Sequence, residues 1–367
     1  MKKILVFSAI ALLQSAMNLA QDLGAYSDYR GHFFIFDHGK SIKVEEIQVQ
    51  SFEIGGECIL YIDSQGHLKI YRNGFVTNIE TAGATKYYAT DHLAVYQIFD
   101  QLAVVIDNIP ITLCRRCPVY EVQDSLIVFY DDESKSLKVY YKDTVSEIES
   151  GLIGMPISSL RSGDNIIAYI SSRTRDFKIW YGGENHTILN NVDRLNFKAG
   201  KNIVAYTNNL DNSFHAWYKG TDYQLDEFMP KSFKIGDGFV AFVDYSGEFK
   251  VFYKGETTTI SDYTPDSYFA KDNLLVFTEY NYFKVFCKGK TYELEGFVPQ
   301  IFKCDWNTLA YLDNSNRIWV FTGNEKQYLT NDMIESFNIY RDMIIMQAKI
   351  DRNIIWYKGN FYNGMAY

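Results

Sequence analysis

Short hydrophobic runs alternate with short polar turns along almost the whole chain. The clearest example is the stretch SFKIGDGFVAFVDYSGEFKVFYKG, residues 232–255. Within it, Phe239–Asp244 and Glu248–Tyr253 are rich in β-branched and aromatic residues, which suit the pleated surface of a strand. The polar turn YSG, residues 245–247, separates them, and its glycine can adopt a positive φ angle. We therefore predict two adjacent antiparallel strands here.

The same stretch predicts two more strands. One begins at Ser232, and another covers Thr257–Ile260, after the hairpin signal Lys254-Gly255. Four strands in about 35 residues form an antiparallel meander. Such a sheet cannot bury its two faces alone, so it requires further copies packed against it.

Copies of this unit fill the rest of the chain. Residues 25–39, AYSDYRGHFFIFDHG, align without a gap with residues 241–255, so the first unit lacks an obvious first strand. The turn that closes each unit recurs every 34 to 40 residues, at Gly39, Gly74, Asn108, Asp143, Gly183, Gly220, Gly255, Gly289, Gly323 and Gly359. Most of the six prolines precede the first strand of a unit, where a residue without an N–H is tolerated.

Radial repetition of short four-stranded sheets is the β-propeller architecture. We therefore predict an all-β fold, a β-propeller built from about ten four-stranded antiparallel repeats of 34–40 residues. One large ring and two smaller rings are both compatible with ten repeats. We favour one domain over residues 21–367, with the wider spacing at Ser150–Ser158 as the best candidate for a boundary.

The first twenty residues predict a secretory signal peptide. They carry Lys2 and Lys3, an apolar run over Ile4–Leu13 and a small residue, Ala20, at the expected cleavage site. The apolar run is too short to span a membrane. We therefore expect an exported protein without a transmembrane segment, periplasmic or alternatively secreted.

Charge argues against nucleic acid as a partner. The whole chain has a net charge of −9, and the part that follows the predicted signal peptide is more acidic still because two lysines are removed with it. No basic block stands out, so binding of a polyanionic backbone has no electrostatic support. The 29 tyrosines suit sheets packed face to face, or alternatively a tyrosine-rich binding face for glycan or protein.

The motif Cys114-Arg115-Arg116-Cys117 could close a small disulfide loop in an exported protein. Free thiols remain an alternative, and redox chemistry is the third. A redox-active motif of this kind normally begins a helix, whereas the sequence on either side of this motif predicts strands and turns. The predicted site residues are therefore a possible disulfide between Cys114 and Cys117.

Other polar residues have simpler explanations in the repeat. Acidic residues recur in the turn between the second and third strands, at Asp63, Asp131, Asp244 and Asp313, where they can bond their own turn backbone. His38 takes the place of a hairpin-turn lysine, and the six histidines show no metal-ligand spacing. We predict no catalytic residues, no cofactor, no metal site and no enzymatic activity.

The hydrophobic strand, polar turn and aromatic strand ending at glycine resemble the tandem propeller repeats of the WD40-like class found in periplasmic proteins. Unit five, GDNIIAYISSRTRDFKIWYGG from Gly163, is closest to that pattern. The run QDLGAYSDYRGHFFIFDHG from Gln21 is similar to propeller proteins of gliding Bacteroidota. Among these, the chain resembles the subunit that plugs the periplasmic mouth of the type 9 secretion translocon.

That resemblance implies a non-catalytic propeller that acts as a protein–protein interaction module. It would be an accessory protein for protein transport, with a large outer-membrane β-barrel translocon as its partner. The alternative is a carbohydrate-active, glycosidase-like propeller with carboxylates at one mouth of the ring, or a glycan-binding one. In either case we expect function where the repeat is broken, at Cys114–Cys117 and Ser150–Ser158.

Overall fold

Ten antiparallel sheets make up the computed structural model, which describes residues 23–192, 195–349 and 352–364. Each sheet, or blade, pairs its strands in chain order. Blades 2 to 10 have four strands, and blade 1 has three within the described residues. The predicted signal peptide, residues 1–20, lies outside the described residues.

The strands of blades 1 to 5 are β1 (Leu23–Ser27), β2 (Phe33–Asp37), β3 (Lys40–Glu45); β4 (Ser51–Ile54), β5 (Ile59–Ile62), β6 (Leu68–Arg72), β7 (Phe75–Glu80); β8 (Lys86–Ala89), β9 (Ala94–Ile98), β10 (Gln101–Ile106), β11 (Ile109–Cys114); β12 (Val119–Val122), β13 (Leu126–Asp131), β14 (Ser136–Tyr141), β15 (Thr144–Glu149); β16 (Leu160–Gly163), β17 (Ile166–Ile170), β18 (Phe177–Tyr181) and β19 (Glu184–Leu189). A 3-10 turn, Ile157–Ser159, precedes β16.

The strands of blades 6 to 10 are β20 (Phe197–Gly200), β21 (Ile203–Asn208), β22 (Ser213–Tyr218), β23 (Thr221–Asp226); β24 (Ser232–Gly236), β25 (Phe239–Val243), β26 (Phe249–Tyr253), β27 (Glu256–Ser261); β28 (Ser267–Lys271), β29 (Leu274–Glu279), β30 (Tyr282–Cys287), β31 (Lys290–Glu295); β32 (Phe302–Asp305), β33 (Thr308–Leu312), β34 (Ile318–Phe321), β35 (Lys326–Tyr328); β36 (Ile334–Tyr340), β37 (Met343–Ala348), β38 (Arg352–Tyr357) and β39 (Asn360–Asn363).

The four strands predicted within residues 232–260 are therefore confirmed, as β24 to β27. Blade 1 starts with the equivalent of a second strand, because β1 aligns with β25, so its missing first strand is also confirmed within the described residues. We call the first strand of blades 2 to 10 the inner strand, since it surrounds the central channel of the propeller.

Hydrophobic packing closes the blades into a single ring. One buried cluster lies between each pair of consecutive blades, and the last joins blade 10 to blade 1. There Phe36 packs edge-on against Tyr357, and Asn353 donates a hydrogen bond to the carbonyl of Ser27. The boundary candidate at Ser150–Ser158 is a crossover whose Leu152 is buried between blades 4 and 5. Ten blades therefore form one ring, not two.

Buried tyrosines add polar ties between neighbouring blades. Tyr169 of blade 5 donates a hydrogen bond of 2.8 Å to Glu149 of blade 4. Tyr61 and Tyr311 make equivalent bonds to carboxylates at the end of the preceding blade. A buried hydroxyl needs such an acceptor, since leaving it unpaired costs about 1–3 kcal/mol. These bonds fix each blade to the one before it.

Candidate functional site

The up-and-down course of each blade gives the ring two different faces. Turns between second and third strands, and the crossovers to the next blade, lie on one face. Turns between first and second strands, and between third and fourth strands, lie on the other. We call these the crossover face and the hairpin face.

Exposed apolar side chains are concentrated on the crossover face. Monomeric proteins rarely expose contiguous apolar patches, so such a concentration marks an interaction surface. The exposed large apolar residues in its turns and crossovers include Tyr29, Phe99, Ile153, Ile157, Leu210, Phe228, Tyr245, Tyr263, Tyr280, Val298 and Met333. The other exposed apolar residues lie mainly on the outer strands, for example Phe75 and Phe361, or on the inner strands.

The densest part of this surface covers blades 6 to 8, and we call it the aromatic patch: Leu210, Phe228, Tyr245, Tyr263 and Tyr280. Two ring pairs build it. Phe228, in the crossover from blade 6, contacts Tyr245 in the turn of blade 7 with ring centroids 5.6 Å apart. Tyr263 and Tyr280 repeat the arrangement one blade later, edge to face at 5.5 Å. Each ring remains more than half exposed, so the patch offers a large apolar area together with hydroxyl groups.

Two aromatic residues of this face are held in a backbone conformation that favours glycine or asparagine. Phe99 has φ 52° and Tyr280 has φ 50°, both at hairpin turns between second and third strands. A bulky residue there costs of order 1–3 kcal/mol. The Phe99 ring is 85 % exposed and so recovers little of that cost by burial. Strain of this kind is typical of functional surfaces.

The predicted cysteine site lies in the crossover from blade 3 to blade 4, on this face. Cys114 and Cys117 are both buried and carry free thiols, while Arg115 and Arg116 are exposed between them. A hydrogen bond between the thiols, followed by burial, raises the pKa of Cys117, and the same bond lowers the pKa of Cys114. The sulfurs are unbonded in this structure, and the disulfide stays a prediction.

The Ser150–Ser158 segment also reaches the crossover face. Leu152 and Met155 anchor it in the core between blades 4 and 5. Ile153 and Ile157 project outwards and are exposed. Both stretches where the repeat is broken therefore belong to the same face as the aromatic patch, although they lie on other blades.

On the hairpin face, the inner turns of most blades bring a carboxylate to the mouth of the channel. We call six of these residues the acidic rim: Asp91, Asp124, Asp164, Asp237, Asp272 and Asp305. The first three of them border a cavity of about 1090 Å³. Several of these carboxylates accept hydrogen bonds from backbone N–H groups of neighbouring inner turns. For example, Asp124 accepts a hydrogen bond of 3.0 Å from the backbone N–H of Asp91, and Asp272 accepts one of 2.8 Å from that of Trp306.

Cations balance part of this charge. Lys201 lies 3.0 Å from Asp164, and Lys271 lies 2.9 Å from Asp305. Arg341 of blade 10 forms an ion pair with Asp91 of blade 3, past the position where blade 1 has no inner strand. Five of the six rim carboxylates therefore have a hydrogen-bond or ion-pair partner, and most of these partners belong to a neighbouring inner turn.

Burial raises the pKa of three rim carboxylates. The effect is largest at Asp237, where burial, followed by the nearby Asp272, raises the pKa to about 6. Burial, followed by Asp164, raises the pKa of Asp124, and burial raises that of Asp272. These groups therefore oppose folding when they are ionised.

This predicts that mild acid stabilises the ring. A carboxyl whose pKa is higher in the folded state contributes stability that is present below its unfolded pKa and is lost as the pH rises through the folded value. Lowering the pH from about 7.5 to about 5 should therefore raise the free energy of unfolding by about 1 kcal/mol, after allowance for solvent screening at the rim. Denaturant titrations at both pH values measure this. Asp237→Asn should reduce the increase, and an unchanged increase would contradict the account.

The four aspartates predicted to stabilise turns do so. Asp244 accepts hydrogen bonds from the backbone N–H groups of Gly247 and Glu248. Asp63, Asp131 and Asp313 accept hydrogen bonds from backbone N–H groups of their own turns in the same way. A hydrogen bond from Lys250 and these N–H groups outweigh burial and lower the pKa of Asp244 to about 2. They lie on the crossover face, away from the acidic rim.

His38 occupies the hairpin turn in which the repeat places it. His38 is exposed in its hairpin turn and contacts Asp37. Over residues 23–192, 195–349 and 352–364, no group of three or more His, Cys, Asp or Glu side chains is arranged to hold a metal ion. In the same part of the chain no helix is both long and apolar enough to cross a membrane.

Sequence reasoning missed both the aromatic patch and the acidic rim. The polar turn of residues 245–247, which the repeat pattern explains as a simple connection, supplies Tyr245 to the exposed surface. A usable signal was present, because Tyr245 and Tyr280 put large rings at turn positions where polar residues are usual. The rim carboxylates occupy turns in different blades, so only the ring brings them together.

A family of known proteins matches the sequence of this chain. The family described as "10-bladed beta propeller domain" matches residues 17–362. No curated protein matches the chain.

Solved structures give only distant likenesses. The computationally designed protein Ika8 is 16% identical, with 92% of this chain and 100% of that chain covered and a TM-score of 0.36. The CRINKLY WD40 ectodomain of the Arabidopsis thaliana receptor kinase ACR4 is 12% identical, covering 68% and 96%, with a TM-score of 0.38. Prp20p from Saccharomyces cerevisiae is 11% identical, covering 62% and 79%, with a TM-score of 0.34. Scores at this level carry no argument about function.

Proposed function

We propose that this chain, which belongs to the family of 10-bladed β-propeller domains, is a non-catalytic protein-binding ring that docks through its crossover face. The observation that carries this proposal is the aromatic patch: Phe228, Tyr245, Tyr263 and Tyr280 form exposed ring pairs on one side of the ring. Tyrosine and other aromatic residues dominate the binding energy of protein interfaces, because they bury much apolar area at low entropic cost.

We further propose that the partner is a very wide outer-membrane protein-secretion channel of the type 9 kind. In this proposal the propeller is exported to the periplasm and covers the periplasmic end of the channel when no substrate occupies it. The resemblance of the N-terminal run and of the repeat supports this partner. A ring that exposes aromatic residues on one face, with short loops, suits the covering of a wide opening.

Affinity isolation from the native host tests this proposal. The tagged chain is recovered from detergent-solubilised envelopes, and its partners are identified by mass spectrometry. We expect a very large outer-membrane β-barrel protein in stoichiometric amount. Recovery of the chain without any membrane protein would contradict the proposed partner.

A carbohydrate-active propeller is the second candidate, and the acidic rim favours it. Carboxylates that converge at one mouth of a ring are the arrangement that glycoside hydrolysis uses. The bonds that Asp124 and Asp272 accept from backbone N–H groups favour a structural role instead. Release of reducing ends from a panel of polysaccharides, abolished by Asp237→Asn, would support hydrolysis and overturn the non-catalytic proposal.

Substitution of the strained residue Phe99 should change the stability of the ring and its binding to the partner in opposite directions. Asparagine tolerates the positive φ angle far better than phenylalanine does, so Phe99→Asn should raise the free energy of unfolding by about 1 kcal/mol. The same change removes an exposed ring from the crossover face and should lower the recovery of the partner. Denaturant titration and quantitative affinity isolation measure the two effects. A variant that is less stable than the wild type would show that Phe99 has a structural role.

A further inference from the structure

The inner strands carry a set of cations at one position of the repeat. Arg161, Lys198, Lys234 and Lys303 lie on the inner strands of blades 5, 6, 7 and 9. Each is paired in the sheet with an alanine of the second strand. The blades without a cation at this position have a larger residue, such as Leu60, opposite it. The small alanine side chain leaves room beside it for a long side chain. We call Arg161, Lys198, Lys234 and Lys303 the channel cations.

Two of the channel cations reach the next blade, whereas Arg161 donates hydrogen bonds to the carbonyls of Ile157 and Leu160 just before it in the chain. Lys198 donates a hydrogen bond of 2.7 Å to the carbonyl of Phe233 on the next inner strand. Lys303 donates one of 2.6 Å to the side chain of Asn338, again on the next blade. Lys234 is exposed. The charged ends of Lys198 and Lys303 thus lie against the inner strands of blades 7 and 10.

These charges are left without direct ion pairs among the described residues, although the charge of Arg161 acts on Glu121 of blade 4. Lysines of the third strands have acidic partners, as Lys250 has in Asp244 at 2.5 Å and Lys284 in Glu279 at 2.6 Å. Within the described part of the chain, none of the four channel cations forms such an ion pair. Burial, followed by the charges of Lys234 and Arg161, lowers the pKa of Lys198. The cations therefore repel one another, and an anion between them would relieve that repulsion.

An apolar pocket lies beside these cations. It has a volume of about 480 Å³ and is formed by the inner strands of blades 8, 9 and 10. Phe269, Phe302 and Ile339 line it, with Lys303 at its border. Both phenylalanines are partly exposed. An apolar side chain of a ligand could enter here while an adjacent negative charge meets Lys303.

The inner strands also offer backbone hydrogen bonds. Each inner strand is the last strand of its sheet and pairs with a neighbour on one side only. A sheet edge of this kind can accept an extended peptide as an additional strand. Side chains of such a peptide alternate, so acidic residues would face one way and apolar residues the other.

We propose that the channel binds an extended, acidic segment of the partner protein, which enters from the crossover face. The segment lies in the channel beside the inner strands of blades 5 to 9 and pairs with the edge of one of them, with its carboxylates towards the channel cations and an apolar side chain in the pocket formed by blades 8 to 10. A nucleic acid fits less well, because the chain as a whole is acidic and the pocket beside the cations is apolar. This inference rests on the proposed function, whose partner it describes more closely.

A labelled peptide of about ten residues, in which Glu alternates with Phe, is a direct probe. Fluorescence anisotropy should show binding that weakens as salt concentration increases, since the contacts are ionic. The double variant Lys234→Glu with Lys303→Glu should bind the peptide at least about tenfold more weakly. Arginine at the same two positions should preserve binding. Charge reversal of Lys254 and Lys288, which lie in exposed turns of the hairpin face, is the matched control and should have no effect.

Equal binding by the wild type and the Lys234→Glu, Lys303→Glu variant would overturn the inference. So would equal binding of a peptide with Gln in place of Glu, or displacement of the peptide by an anionic polysaccharide that binds more tightly. The same charge-reversal variant separates the two proposals in affinity isolation. If it recovers the partner as the wild type does, the channel inference fails and docking through the crossover face stands. If the peptide binds as expected but no membrane partner is recovered, the proposed function fails.

Discussion

A chain that carries Phe228→Ser, Tyr245→Ser, Tyr263→Ser and Tyr280→Asn should bind its protein partner at least about a hundredfold more weakly than the wild type. These four rings supply both contacting pairs of the aromatic patch. Truncation of an interface anchor commonly costs about 2 kcal/mol or more, and the losses are not additive. Quantitative affinity isolation or biolayer interferometry with the purified partner measures the change.

The fold should survive these substitutions because all four side chains are exposed. A variant with Phe75→Ser, Val76→Ser and Phe361→Ser is the matched control. It removes exposed apolar side chains from the outer strands and leaves the crossover face intact. Its affinity should match that of the wild type within about twofold. Equal loss in both variants would mean that exposed apolar area in general, and not the aromatic patch, determines binding.

The second large effect concerns the glycines of the inner strands. A Cβ atom at Gly163 would lie 2.0 Å from the carbonyl oxygen of Gly200, and one at Gly200 would lie 2.3 Å from that of Gly236. A backbone carbonyl cannot move away from such a contact as easily as the end of a flexible side chain can. Alanine at Gly200 should therefore separate blades 6 and 7 and lower the free energy of unfolding by about 3 kcal/mol.

Gly296 provides the control for this prediction. It lies in the crossover after blade 8, and a Cβ atom there would have only one neighbour, 4.0 Å away. Gly296→Ala should change the free energy of unfolding by less than about 0.5 kcal/mol. Denaturant titration of both variants gives the comparison. A loss below about 1 kcal/mol at Gly200 would show that the inner turns can move apart without breaking the ring.

Periodicity made the fold predictable. Strand, turn and closing glycine are local features, and they recur with so constant a spacing that blade number and strand order follow from the sequence. The predicted Phe239–Asp244 and Glu248–Tyr253 correspond to β25 and β26 within one residue at either end. Closure into a single ring could not be predicted in this way, because it depends on the contact of Phe36 with Tyr357 across almost the full length of the chain.

The candidate surface was not predictable from the same signals. Whether a turn residue such as Tyr245 is exposed depends on the crossover beside it, which in this case brings Phe228 within contact. Those two residues belong to different repeats. The acidic rim has the same origin, because Asp124 and Asp272 come from opposite parts of the ring and their charges interact. The expectation that function lies where the repeat is broken, at Cys114–Cys117 and Ser150–Ser158, stays a prediction.

Site-specific photo-crosslinking in the native host tests the central claim most directly. A photoreactive side chain is placed at position 245, in the aromatic patch, and in a second strain at position 254, in an exposed turn of the hairpin face. Docking through the crossover face predicts a crosslink to a very large outer-membrane protein from position 245 and none from position 254. A crosslink from position 254 alone, or equal crosslinking from both positions, would contradict it.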